Sequence, residues 1–93
     1  MVKAEYVFTR AELQSVLQAI RSALGLNILP LDSPQRLQDA VAKLICSIDG
    51  RGDVVVRRSP AALLTPEYWQ IALTNLDANT HAALADIFRA GRP

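Results

Sequence analysis

Thr65-Pro66-Glu67-Tyr68-Trp69-Gln70-Ile71-Ala72-Leu73-Thr74-Asn75-Leu76 is the stretch whose conformation decides the second half of the chain. Thr65 has the character of a helix cap. Pro66 suits a first helical position, where its missing N–H costs nothing, and Glu67 places an acid at the positive end of the helix dipole. Tyr68, Ile71, Ala72 and Leu76 then recur at the spacing of one helical face, with Trp69 and Leu73 on its flanks. This pattern predicts a helix over 66–76. Asp77 to Thr80 breaks it. Asn79 or Thr80 is the expected cap of a following helix, in which His81, Leu84, Ala85 and Phe88 share a face and Ile87 lies beside them. Gly91 and Pro93 end it.

Upstream, Ser59-Pro60 opens a turn, or a single helical turn, through Ala61-Ala62-Leu63-Leu64. Val54-Val55-Val56 is the clearest strand signal, within Asp53 to Arg58. Arg57 and Arg58 at its end suit an exposed edge. Asp49-Gly50-Arg51-Gly52 is turn chemistry.

Before that turn lie two amphipathic helices. Thr9-Arg10-Ala11-Glu12 is a reciprocal capping box. Leu13, Val16, Leu17, Ile20 and Leu24 follow on one face, and Gly25 is a stop, giving a helix over 10–24. Ser33 or Asp32 caps the second helix, with Pro34 first, and Leu37, Ala40, Val41, Leu44, Ile45 and Ile48 carry it over 34–48. The short connection between them predicts an antiparallel pair. Ahead of both, residues 4–8 have strand character in Tyr6, Val7 and Phe8, and that strand would pair with the Val54 strand. The expected fold is α+β and predominantly α. It comprises four helices and a small two-stranded sheet in the order β-α-α-β-α-α, in one compact domain over 1–93. An all-α helical bundle is the alternative.

Composition excludes several classes. Of 93 residues, 51% are apolar, too many for a disordered chain, and a single cysteine excludes a disulfide scaffold. Ten basic and nine acidic residues give a net charge of +1, which lacks the footprint of a general polyanion binder. The first residues do not resemble a signal peptide, and apolar runs of at most four residues exclude a spanning helix. The expected setting is reducing and cytoplasmic.

No catalytic constellation is visible. One histidine excludes metal sites built on two imidazoles, and the carboxylates are scattered. Cys46 falls between Ile45 and Ile48 and reads as a small buried hydrophobe. His81 reads as a half-buried first-turn residue, so a Cys46–His81 nucleophile pair is the weakest of the functional readings. No cofactor or metal is expected. The favoured expectation is a non-enzymatic module acting by protein–protein association, as an adaptor, inhibitor or homo-oligomer subunit. Its partner-facing residues would be Leu26, Ile28, Leu29 and Leu31 of an unusually apolar connection, together with Val54, Val56 and Trp69. The alternative is a DNA-binding regulator of helix-turn-helix type. It would be built on 66–90, with Arg51, Arg57, Arg58 and Arg89 as its phosphate-binding residues.

Overall fold

A computed structural model describes residues 1–91. The elements run β1 (Val2–Phe8), α1 (Arg10–Leu24), α2 (Pro34–Ser47), β2 (Asp53–Ser59), β3 (Tyr68–Leu76) and α3 (Ala78–Phe88), followed by a 3-10 turn over Arg89–Gly91. The expected role of Pro93 as a stop lies outside the described residues.

The first half follows the capping chemistry. Thr9 Oγ1 accepts the Glu12 N–H at 3.2 Å, and Glu12 Oε1 accepts the Thr9 N–H at 2.8 Å. Gly25 closes α1 in the left-handed region, at φ 68, where a side chain would be strained. Ser33, rather than Asp32, caps α2.

The second half overturns the expected architecture. Residues 68–76 form a strand, not the helix expected over 66–76. The described residues therefore contain three α-helices and a three-stranded antiparallel sheet, neither four helices with a two-stranded sheet nor an all-α bundle. The sheet order is β1-β3-β2. The two strands expected to pair with each other are its edges, and β3 lies between them. Val7, Gln70 and Arg57 share one row across the sheet, and Glu5, Ala72 and Val55 share the next.

The physical reason lies in the alternation of Trp69, Ile71 and Leu73. All three are buried, while their neighbours Gln70, Ala72 and Thr74 are only partly covered. A period of two buries one face of a strand. A central strand also satisfies its backbone groups on both sides, and here one partner, β1, is supplied by a segment far away in sequence. The alternation breaks once. Val2 lies opposite Leu76 but Ala4 lies opposite Leu73, so β3 carries one extra residue, with Asn75 at φ 58. This bulge returns Leu76 to the buried face.

The helices cover that face only. Phe8, Val56, Trp69, Ile71, Leu73 and Leu76 meet Leu13, Val16, Leu17 and Ile20 of α1, Leu37, Val41 and Leu44 of α2, and Leu84 and Phe88 of α3 in one core. Asp77 caps α3 in place of Asn79 or Thr80, its carboxylate accepting the Thr80 N–H at 2.7 Å. That bond holds the Asp77 pKa below its ordinary value.

Candidate functional site

The helices leave one face of the sheet without a covering layer. Its rows, read across β1, β3 and β2, are Val7-Gln70-Arg57 and Glu5-Ala72-Val55, with Tyr68 opposite Ser59 at one end. Val7 is 46% exposed, Val55 45% and Tyr68 40%. Val7 on β1 and Val55 on β2 lie in adjacent rows, diagonal to each other across Gln70 and Ala72, and with Tyr68 they are the apolar part of a mixed face. Lys3, Glu5, Asp53 and Arg57 rim it with charges of both signs. Beyond Tyr68, the connection from β2 to β3 carries Leu63 and Leu64, both almost wholly exposed.

That connection is anchored by Glu67. Its carboxylate accepts Arg10 Nε at 2.7 Å and Arg10 Nη2 at 3.1 Å, a two-pronged pairing, and it also accepts Arg58 Nε at 2.6 Å. The hydrogen bonds from Arg10, joined by those from Arg58, hold the Glu67 pKa down at about 2. Arg10 in turn lies over the Trp69 ring, 5.9 Å from its centroid. Thus Pro66 and Glu67, which resemble a helix start, instead end a loop, and Glu67 ties the start of α1 to the end of β2.

The expected partner-facing residues separate into two groups. Leu29, Val56 and Trp69 are buried, and Leu31 and Val54 pack against the core, so these five stabilise the fold. Leu26 and Ile28 remain exposed, at 41% and 76%. They line a groove of about 450 Å³ together with Pro30, Arg36, Asp39 and Lys43 of the connection and α2. Trp69, one of the candidate partner-facing residues, points inward, because in a strand it shares the face of Ile71. Cys46 was expected in the core and is exposed. Ile45, one position earlier, is buried in its stead.

The four arginines of the DNA-binding alternative do not converge. Arg58 is bound by Glu67 and Arg89 by Asp86 at 2.9 Å. Arg57 stands on the open face and Arg51 in the turn after α2. A helix-turn-helix over 66–90 has no first helix, since β3 occupies that stretch. Among the described residues, no three His, Cys, Asp or Glu side chains gather as metal ligands would, and no helix is long and apolar enough to cross a membrane.

Val7, Tyr68, Leu63 and Leu64 were missed as surface residues, and within the valine triplet it is Val55 that is exposed. The available signal was the strand alternation on either side of Trp69, which would have set Tyr68, Gln70 and Ala72 on the opposite face from the core. No protein-family model matches this chain, and neither a curated protein nor a solved structure shows significant similarity to it.

Proposed function

We propose that this chain is a non-enzymatic module that works by protein–protein association, with the open face of the sheet as its binding surface. The observation that carries the reading is the two-layer build. Helices stand on one side of β1-β3-β2, while Val7, Val55 and Tyr68 stand exposed on the other. Exposed apolar side chains scattered singly need no explanation, but Val7, Val55 and Tyr68 share one uncovered sheet face with charges of both signs, a setting that suits an interface. Leu63 and Leu64, in the connection that leads to Tyr68, are exposed as well. A strand face presents side chains on a rigid backbone, so a partner would meet a preorganised surface with little ordering cost.

The test is affinity capture from an extract of the source cell, using the wild-type chain and the variants Val55→Lys and Val7→Lys as baits. Both substitutions lie on the outward face and leave the core unchanged. Proteins retained by wild type and lost by both variants are the expected result. An identical set on all three baits, with unchanged unfolding midpoints, would overturn the assignment of this face.

A further inference from the structure

The two edges of the sheet are treated differently by the fold. On β2, the Val56 N–H donates to Gln38 Oε1 of α2 at 3.1 Å, so α2 occupies the middle of this outer edge. On β1, no backbone group outside the β3 ladder has a hydrogen-bond partner among the described residues. The ladder also shows which groups are free. Because Val56 N–H points away from β3, its opposite residue Ile71 turns its own N–H and C=O toward β1, where it meets Tyr6. Backbone direction alternates along a strand. Ala4, Tyr6 and Phe8 therefore bond β3, and Lys3, Glu5 and Val7 direct their N–H and C=O groups outward.

We propose that this edge pairs with β1 of a second copy of the same chain, antiparallel, about a two-fold axis at Ala4. The inference rests on the reading that the chain works by association, and it names the partner of one particular surface. In a two-fold pairing of continuous sheets, facing residues must lie on the same side, so the axis passes through a residue. With the axis at Ala4, Lys3 stands opposite Glu5 of the second copy, and Glu5 opposite Lys3 of the second copy. These are the residues whose backbone groups point outward, so each such pair exchanges two backbone hydrogen bonds. Lys3 and Glu5 are both exposed on the open face, where their charges meet as cross-strand pairs. Moving the axis to Glu5 sets Glu5 against Glu5, and moving it to Lys3 sets Lys3 against Lys3. Charge thus selects the register. The result is a six-stranded sheet with all helices on one side and a doubled open face on the other. An unpaired edge strand is a general template for such addition, and α2 occupies the middle of the competing edge.

The test uses the whole chain and reads mass by light scattering after size exclusion. Wild type is expected to run as a dimer. Lys3→Glu alone and Glu5→Lys alone each create two like-charge oppositions and weaken the dimer by about tenfold or more. Mixing the two single variants restores opposite charge at both positions, so the mixture regains the dimer mass, as does the double variant K3E/E5K. A wild-type monomer at the highest attainable concentration overturns the proposal. So does a dimer indifferent to both single charge reversals. A monomer whose partners are still lost on Val55→Lys overturns the edge pairing alone and leaves the association reading standing. Unchanged circular dichroism in the single variants shows that lost mass is not lost fold.

Discussion

Gln38 reaches from α2 to the backbone of Val56, its side-chain oxygen accepting the Val56 N–H at 3.1 Å. Gln38 is the only side chain of α2 bonded to a strand among the hydrogen bonds of the described residues, and it covers the outer edge of β2 at the strand's middle residue. Gln38→Leu keeps the volume and removes the acceptor. Leaving a half-buried N–H unpaired costs about 1–3 kcal/mol. Urea unfolding is expected to show a free energy lowered by that amount, read as a lower midpoint with an unchanged slope. Light scattering on heating is expected to rise earlier than in wild type, because the exposed edge recruits other chains. Gln38→Glu, which keeps an acceptor oxygen, is expected to lose less.

Glu67 carries a pH dependence of defined sign. Its pKa lies at about 2 in the folded chain, held there first by the hydrogen bonds from Arg10 and then by those from Arg58. In the unfolded chain a glutamate titrates at about 4.3. A lowered folded pKa contributes stability that is complete above the unfolded value and is lost as pH falls toward the folded one. Wild type is therefore expected to lose stability between about pH 5 and pH 2 more steeply than Glu67→Gln. At neutral pH the variant is the less stable of the two, and the gap narrows as the acid limit is approached. Denaturant titrations at a series of pH values check this; parallel curves for the two proteins would count against the role of Glu67.

How much of the fold was legible depended on whether the deciding interactions were local. Thr9 with Glu12, Ser33 with Pro34, and Gly25 act within a few residues of one another, and α1 begins and ends, and α2 begins, where those signals place them. The stretch 68–76 offered two periods at once. Tyr68, Ile71, Ala72 and Leu76 fit a helix, and Trp69, Ile71 and Leu73 fit a strand. What separates them is non-local: β1 lies more than sixty positions upstream and supplies one whole ladder. The bulge at Asn75 also hid the alternation by moving Leu76 out of step. The candidate surface inherited the same ambiguity, because turning 68–76 into a strand sends Trp69 inward and Tyr68 outward.

Trp69 illustrates the weighing of terms inside that core. Its indole N–H is buried with no hydrogen-bond partner among the described residues. Burying an indole removes roughly 150–250 Å² from water, on the order of 4–6 kcal/mol, whereas an unsatisfied polar group costs about 1–3 kcal/mol. Burial therefore wins, and the shape rather than the N–H holds the residue in place. Trp69→Phe, which deletes the orphan donor along with part of the area, is expected to cost only about 1 kcal/mol, while Trp69→Ala is expected to cost about 3–5 kcal/mol. Thermal and urea unfolding of the pair check the ratio. A Phe variant as damaged as the Ala variant would mean that the N–H has a partner.

Gly50 and Thr80 are coupled through one oxygen atom. Thr80 is buried at the start of α3, and its Oγ1 accepts the Arg51 N–H at 3.0 Å, docking the turn after α2 onto that helix. A Cβ on Gly50 would lie 2.2 Å from the same Oγ1. The hydroxyl cannot turn away without releasing Arg51, so Gly50→Ala is expected to destabilise by about 1–3 kcal/mol. Thr80→Ala removes the obstacle but orphans the Arg51 N–H, at a cost of about 1–3 kcal/mol. In the double variant the new methyl no longer meets the hydroxyl, so the two losses overlap. The double variant is expected to be more stable than the sum of the singles by about 0.5 kcal/mol or more. A double-mutant cycle from urea unfolding measures this directly. Strict additivity would place the effect of Gly50→Ala in the backbone of the turn rather than in its close approach to Thr80.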